Sequence, residues 1–378
     1  MNTHEPLGGA LWWRAGQARP HNLRSTRPDW VGRIASGLPA SRLPATLGSL
    51  FSLCGHAHSL CAGMAVNAAL GRDDGITRAT RRSLAQQTLR EHLRRIALDW
   101  PRQLAAEPAA DTALDAAARW LARCPAFASA AAPGETAAWF EAELLGTAPA
   151  EWLAAWEHDP ATWLAHWCEH GRGRLALLLQ ACRLATSSTL PKVPALQLHA
   201  DAGELRGFAS NLLNDRAFAR QPRWRGHCAE TGVWTRLNEA APQRMNSAWL
   251  RFGARLAECV RLALPDAPAR CGAHWLSLGA LPLAPFEAIA WVEMARGLLL
   301  HHVQLEGSGD TARVVACHVV APTEWNFDAD GAVARVLEQL PKQPADKGLR
   351  RLSALMAAYD PCVPHQQDLP MPHEASHA

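Results

Sequence analysis

The stretch LCGHAHSLC, residues 53–61, places two cysteines and two histidines in one short segment near the start of the chain. Thiolate sulfur and imidazole nitrogen are donors that proteins use to bind transition metals. A Cys-x-x-Cys pair would set two thiolates on one side of a turn, but the position three residues after Cys54 is Ala57. The stretch therefore indicates a metal-binding motif that lacks one of its thiolates.

A second incomplete pair lies near the other end of the chain, in the segment DPCVPH at residues 360–365. There His365 stands three residues after Cys362, where a second cysteine would complete the pair. Two further segments carry residues suited to a binding site, VEMARGLLLHH at residues 292–302 and APTEWN at residues 321–326. Each of these segments is a weak signal when it is taken alone.

Taken in order, the segments resemble four motifs of the large subunit of nickel–iron hydrogenases. That family has Arg-x-Cys-Gly-x-Cys-x-x-x-His near the start, Glu-x-Pro-Arg-Gly followed by a histidine, then Pro-[Ser/Thr]-Thr-Trp-Asn, and Asp-Pro-Cys-x-x-Cys-x-x-His near the end. The similarity runs from Trp30 to His365, and four motifs in the correct order make it specific. The matching residues are Cys54, Gly55, Glu293, Arg296, Gly297, His301, Pro322, Thr323, Trp325, Asn326, Asp360, Pro361 and Cys362.

The departures from the family pattern concern the metal ligands. In the family the second cysteine of each pair bridges nickel and iron, and here Ala57 and His365 replace these cysteines. The motif histidines fall on Cys61 and Asp368, the internal motif proline is Ala295, and the N-terminal Arg-x-Glu-Gly-His motif has no match. Losing two of four thiolates removes the bridge, so bound nickel is not expected. Because few residues follow Asp368, no proteolytic removal of a C-terminal tail is expected either.

The sequence is similar to a subgroup that keeps the large-subunit body without the bridging cysteines, the maturation proteins of the HupK/HoxV type. The resemblance implies a scaffold without enzymatic activity. Such a scaffold holds an iron fragment with two cyanide ligands and one carbonyl ligand, Fe(CN)2(CO), before the fragment passes to the true large subunit. The implied partners are the factors that assemble this fragment and the hydrogenase large subunit as its acceptor.

Within this resemblance, Cys54 and Cys362 supply two thiolates to the iron. Low-spin iron(II) that already carries three diatomic ligands needs only two or three further donors. The histidines His58 and His365 are the candidates to complete the shell, with His56 as a further possibility. Incomplete coordination would keep the fragment releasable, as a carrier requires.

The pocket for the cyanide ligands is implied by Arg296, Pro322 and Thr323. The arginine and the hydroxyl offer hydrogen bonds to the anionic cyanide nitrogens, and charge-assisted bonds of this kind are worth roughly 1.5 to 3 kcal/mol each. Their retention favours an iron carrier over a relic of a hydrogenase.

Two other functions stay open from the sequence alone. One is a divergent hydrogenase large subunit that oxidises hydrogen with His365 in place of a thiolate, and the other is a metal-free mimic that binds maturation factors. A local zinc site within residues 53–61 would need four donors from a short window and ranks last. The remaining cysteines are expected to be buried apolar residues, namely Cys124, Cys168, Cys182, Cys228, Cys259, Cys271 and Cys317.

The composition excludes several other classes. The chain has 378 residues, of which 48% are hydrophobic, and a formal net charge of +3 from 38 basic and 35 acidic residues. Such a balance predicts a folded protein without the basic footprint of a nucleic-acid or membrane-surface partner. The sequence has neither a membrane-spanning apolar run nor a signal peptide, and ten scattered cysteines suit a reducing compartment, so a cytoplasmic location is expected.

We predict a single α+β domain over residues 1–378 that is mainly helical and has a small β-region, with flexible ends at residues 1–29 and 366–378. The two cysteine motifs lie at opposite ends of the chain and should meet at one site, so the ends must converge in the core. The runs at 299–305 and 312–320, joined by EGSGD, predict a β-hairpin. Helical spacing predicts helices at 80–104, 112–122, 135–145, 150–157, 161–184 and 246–264.

Overall fold

Helices make up most of the chain in the computed structural model. It describes residues 8–51, 53–72, 75–105, 111–128, 132, 134–215, 217–264, 274–342 and 344–367. The predicted positions Asp368 and Cys271 lie outside this described part. Among the described helices, none combines the length and the apolar character needed to cross a lipid bilayer.

The first half of the chain is a succession of helices. Two of the predicted helices contain π-helical turns, Arg95–Asp99 in the helix predicted at 80–104 and Phe140–Leu145 at the end of the helix predicted at 135–145. The helices are α1 (Trp30–Ala35), α2 (Leu43–Leu50), α3 (Gly55–Ala69), α4 (Arg78–Arg94), α5 (Trp100–Leu104), α6 (Asp111–Ala122), α7 (Glu135–Trp139), α8 (Pro149–His158), α9 (Pro160–His170) and α10 (Arg174–Thr186).

The second half adds α11 (Ala202–Asn214), α12 (Ala248–Ala263), α13 (Pro322–Asn326), α14 (Ala332–Gln339) and α15 (Asp346–Tyr359). The helix predicted over 161–184 is in fact two helices. They separate at Gly171, where a Cβ would lie 2.6 Å from the Trp167 carbonyl oxygen and 2.8 Å from the Ala176 Cβ. The chain turns more tightly there than a residue with a side chain allows.

Helix α12 is at the centre of the molecule, and every one of its residues is buried. It packs against α4, α8, α9 and α15. Its charged side chains are paired inside the protein, as in the ion pairs Arg255–Asp360 and Arg236–Glu258. Burying a charge is costly unless it has such a partner. The partners of these charged groups are therefore held at fixed positions beside α12.

A four-stranded antiparallel sheet packs against α3, in the order β3 (Leu278–Ala284), β4 (Glu287–Met294), β5 (Gly297–Glu306) and β6 (Arg313–Val320). Strands β5 and β6 confirm the predicted hairpin, with His302 opposite His318. Strands β3 and β4 were not predicted. Strand β4 is buried almost throughout, which removes the alternation of polar and apolar residues, and Pro282 in β3 is typical of an edge strand.

A three-stranded sheet joins the two ends of the chain, in the order β2 (Leu23–Ser25), β1 (Leu11–Trp13) and β7 (His365–Gln367). Strands β1 and β7 are parallel, and the Leu11 amide donates to the Pro364 carbonyl oxygen over 2.9 Å. Residues 11–13, 23–25 and 366–367 thus form strands within the two ends that were expected to be flexible, 1–29 and 366–378. Residues 1–7 and 368–378 lie outside the described part of the chain. Leu11 and Leu23 are buried in this sheet. No local pattern in the sequence reveals the pairing of β1 with the C-terminal strand.

Candidate functional site

A cavity of about 1110 Å³ opens where the N-terminal segment, the start of α3, the β4–β5 turn and the C-terminal segment meet. Its lining brings together most of the site residues predicted from the sequence. They are Cys54, His58, Arg296, Pro322, Thr323 and Cys362. The two motifs from opposite ends of the chain therefore meet at one cavity.

Cys54 is the residue that precedes α3, and its side chain is buried. Its carbonyl oxygen accepts a hydrogen bond from the His58 amide over 3.1 Å, which starts the helix. Burial, opposed by Arg296 and Arg27 and reinforced by Cys362, raises the pKa of the Cys54 thiol to about 12. At neutral pH the thiol is therefore protonated, and a metal that binds this sulfur displaces the proton.

Gly55 allows α3 to approach α2 closely at the motif. A Cβ at this position would lie 2.1 Å from the Gly48 carbonyl oxygen, a distance that no side chain can occupy. The glycine of the Cys-Gly motif is thus required by packing between two helices. The approach fixes the point at which Cys54 enters the cavity.

We expect Gly55→Ala to lower the free energy of unfolding by about 2 kcal/mol, because the backbone of α2 must move away. The matched control is Gly63→Ala in the same helix, where a Cβ would meet only the Pro44 Cγ at 3.9 Å. Removing a mid-helix glycine there should stabilise the protein by up to about 1 kcal/mol. Urea denaturation of both variants tests the prediction, and equal effects would contradict it.

Cys362 reaches the cavity from the segment that follows α15. Its sulfur lies 3.1 Å from the Thr323 hydroxyl oxygen, and its amide donates to the same oxygen over 3.5 Å. Thr323 is in α13, which begins with Pro322. The P-T-E-W-N motif and the D-P-C motif are therefore in direct contact at the cavity, and the Cys362 side chain stays partly exposed.

Arg296 lies in the turn between β4 and β5 and is buried. Its Nη1 donates to the Glu91 Oε2 over 3.0 Å, and its Nε lies 3.5 Å from the Asp360 Oδ2. Burial alone would lower the pKa of Arg296, but Asp360 and Glu91 outweigh it and raise the pKa, with smaller contributions from the two cavity cysteines. The cavity therefore contains a permanent positive charge beside both sulfurs.

His58 is buried in α3 and faces the cavity. Its Nδ1 lies 3.0 Å from the His301 Nε2, and its ring stacks on Phe51 with centroids 3.7 Å apart. Burial, reinforced by the neighbouring His301, Arg27 and Arg296, holds the pKa of His58 well below its usual value. The ring is neutral at pH 7, and because His301 engages Nδ1, any metal contact would fall to Nε2.

The structure does not bring His365 or His56 to the cavity lining. His365 begins β7, where its backbone pairs with Leu11, and the His56 Nε2 lies 3.2 Å from the Ser83 Oγ of α4. Within the described part of the chain, no three His, Cys, Asp or Glu side chains are grouped as they would be around a metal ion. Cys54, His58 and Cys362 therefore line one cavity without forming a ready-made site for a bare metal ion.

Arg27 and Glu324 are among the cavity residues that the sequence analysis missed. Arg27 falls in the segment that was expected to be flexible, and Glu324 stands where the family motif has its second hydroxyl position, a threonine. They form an ion pair with each other, and each side chain is 16% exposed. No spacing in the sequence links them, because their contact depends on the fold.

The chain has relatives over nearly its whole length, although no protein-family profile matches it. It is 42% identical over 372 residues to the hydrogenase expression/formation protein HoxV of Cupriavidus necator, covering 97% of this chain and 96% of that protein. It is 30% identical over 355 residues to the hydrogenase expression/formation protein HupK of Rhizobium leguminosarum bv. viciae, covering 90% of both.

The fold also has solved counterparts. A variant of the [NiFeSe] hydrogenase from Desulfovibrio vulgaris Hildenborough superposes with a TM-score of 0.52 at 14% identity, covering 90% of this chain and 92% of that one. An NAD+-reducing [NiFe]-hydrogenase superposes with a TM-score of 0.50 at 19% identity, covering 90% and 91%. The chain therefore has the mainly helical α+β fold of a nickel–iron hydrogenase large subunit, and it belongs to the HoxV/HupK family of hydrogenase expression/formation proteins.

Proposed function

We propose that this protein is a maturation scaffold for nickel–iron hydrogenase. It transiently holds an iron(II) unit with two cyanide ligands and one carbonyl ligand and then passes the unit to the hydrogenase large subunit. The observation that carries the proposal is the meeting of Cys54 and Cys362 at one cavity with Arg296. The two missing partner cysteines are replaced by Ala57 and His365. Ala57 is buried, and neither residue lines the cavity.

The donor set suits a cargo and not a resident bimetallic centre. Iron(II) with three diatomic ligands needs two or three further donors, and Cys54 and Cys362 supply two thiolates. His58 can occupy a third position through its Nε2. Nickel beside iron would need bridging thiolates, and Ala57 has no donor atom. A site with few protein bonds to the metal can release it to an acceptor.

The polar groups of the cavity suit the cyanide ligands. The Arg296 guanidinium can donate to a cyanide nitrogen, and the Thr323 hydroxyl beside Cys362 can donate to another. Pro322 lies next to Thr323 and has no amide N–H, so it presents an apolar surface to the carbonyl ligand. The surroundings therefore match the ends of the three ligands in charge and polarity.

The relatives support the coarser part of the proposal, since they are described as hydrogenase expression/formation proteins. A maturation role makes the protein a non-catalytic one. Its partners would be the factors that assemble the iron fragment and the hydrogenase large subunit, with no nucleic acid or membrane. The cytoplasm, where thiols stay reduced, is the proposed location.

Infrared spectroscopy with iron and nickel analysis tests the proposal on protein purified from cells that make the fragment. We expect bands of iron-bound carbonyl and cyanide, iron approaching one per chain and little nickel. Hydrogen oxidation with one nickel per chain would instead support a divergent hydrogenase. Metal-free protein that binds the maturation factors would support a large-subunit mimic. Either result would reject the scaffold.

A further inference from the structure

Arg27 lies between β2 and α1 and lines the same cavity as the two cysteines. Its Nη1 donates to the Glu324 Oε1, and both side chains are mostly buried. A guanidinium has five N–H donors in a planar fork. The bond to Glu324 uses one of its nitrogens and fixes the plane of the group beside the cavity.

The iron unit bound by two thiolates is an anion. The charge of iron(II) is cancelled by its two cyanides, so the two thiolates leave the bound unit with two negative charges. Arg296 supplies a positive charge, but the carboxylates of Glu91 and Asp360 already lie beside it. A further cation at the cavity would therefore favour the bound state.

Arg27 is placed to act on the sulfurs as well as on Glu324. Burial would lower the pKa of Arg27, but Glu324, Cys362 and Cys54 outweigh burial and raise this pKa. Arg27 in turn helps to lower the pKa values of Cys54 and His58. The guanidinium is thus within electrostatic reach of three cavity side chains that come from both ends of the chain.

We propose that Arg27 is a second anion-binding residue of this cavity, which donates a hydrogen bond to a cyanide nitrogen of the held iron unit while Glu324 keeps its guanidinium in position. The inference rests on the proposed function and deepens it. It assigns the N-terminal segment a role in retaining the cargo. Arg27 would contact a ligand of the cargo, whereas the two thiolates make the bonds to iron.

The test compares four variants purified from cells that make the fragment. They are Arg27→Gln, Arg27→Lys, Glu324→Gln and the control Arg19→Gln. Arg19 belongs to the same N-terminal segment and pairs with Glu338 over 2.9 Å, but it does not line the cavity. The measurements are the cyanide stretching frequencies and the half-life of the iron carbonyl bands after removal of excess fragment.

Arg27→Gln should shift a cyanide band and shorten the half-life about tenfold to a hundredfold, the factor expected for one charge-assisted hydrogen bond. Arg27→Lys should restore part of the retention. Glu324→Gln keeps Arg27 and removes the competing charge, and the glutamine amide oxygen can still accept the hydrogen bond that positions the guanidinium. Iron should therefore be retained at least as long as in the wild type. The Arg19→Gln protein should match the wild type in both measurements.

The result that would overturn the inference is a folded Arg27→Gln protein with wild-type bands and half-life. Loss of iron from Glu324→Gln as fast as from Arg27→Gln would also overturn the inference. Retention of iron would then depend on the Arg27–Glu324 ion pair and not on the positive charge of Arg27. Neither outcome affects the proposed function. That proposal fails separately, when the wild-type protein itself shows no carbonyl and cyanide bands.

Discussion

Replacement of Cys54 or Cys362 with serine is expected to abolish the carbonyl and cyanide bands of the purified protein. Each sulfur is one of two thiolates available to the iron at the cavity. A serine hydroxyl is nearly the same size, but it does not ionise near neutral pH and is a hard donor, so it is a poor ligand for low-spin iron(II). The bound iron should fall at least tenfold in each single variant, as measured by infrared spectroscopy and iron analysis.

The matched control for these variants is Cys182→Ser. Cys182 is a buried thiol in α10, and its Sγ donates to the Leu179 carbonyl oxygen over 3.3 Å, a bond that a serine hydroxyl can keep. It does not line the cavity, so the bands should stay unchanged. Unchanged bands in both Cys54→Ser and Cys362→Ser would exclude these cysteines as ligands, whatever the protein binds.

The motif residues could be found from the sequence because each motif is a short, contiguous run. Cys54, Arg296, Thr323 and Cys362 are all at one cavity, as the order of the motifs indicates. His365 was expected near the metal because it occupies the position of a lost cysteine. In the structure His365 belongs to β7. Its position is determined by the pairing of β7 with β1, where it lies opposite Leu11, and not by the motif.

The groups that surround the motifs could not be found in this way. Glu91 comes from α4 and binds Arg296, and Arg27 comes from the N-terminal segment and binds Glu324. These contacts join residues that are far apart in sequence, and neither carries a local pattern. The same holds for the terminal sheet, in which β1 pairs with β7. Amphipathic spacing predicted the helices because it is local, but it gave no information on these long-range pairs.

Asp360 shows how the surroundings hold a motif in place. It follows α15 in the left-handed region, with φ of 52°, and its carboxylate contacts three arginines. The distances are 2.8 Å to Arg255, 3.1 Å to Arg95 and 3.5 Å to Arg296. The aspartate of the D-P-C motif is therefore the centre of an ionic cluster that lies two residues from Cys362.

Asp360→Asn is expected to lower the free energy of unfolding by about 3 to 5 kcal/mol, because it leaves buried arginines without their shared counter-charge. Asparagine tolerates the left-handed backbone and has nearly the same shape. The change therefore keeps the turn, removes the charge and replaces one acceptor oxygen by an amide donor. The variant should also lose iron faster, because the ion pair between Asp360 and Arg296 no longer holds the segment that carries Cys362. Urea denaturation at pH 7 measures the first effect and infrared spectroscopy the second.

The pH dependence gives a further check on the same carboxylate. Burial would raise the pKa of Asp360, but Arg296, Arg255 and Arg95 outweigh burial and hold this pKa well below its usual value. Its contribution to stability is therefore fully present above about pH 4, the range of a free aspartate, and is lost as the pH falls toward the lowered pKa. The difference between the wild type and Asp360→Asn should accordingly shrink in acid.

The control is Asp99→Asn, which removes another carboxylate that binds Arg95, over 2.7 Å. The Asp99 side chain is 28% exposed, and its pair joins neighbouring turns of one helix, so the loss should stay below about 0.5 kcal/mol. An Asp360→Asn protein as stable as the Asp99→Asn protein would show that the arginines find other partners. The motif aspartate would then be needed for the turn before Cys362 and not for its charge.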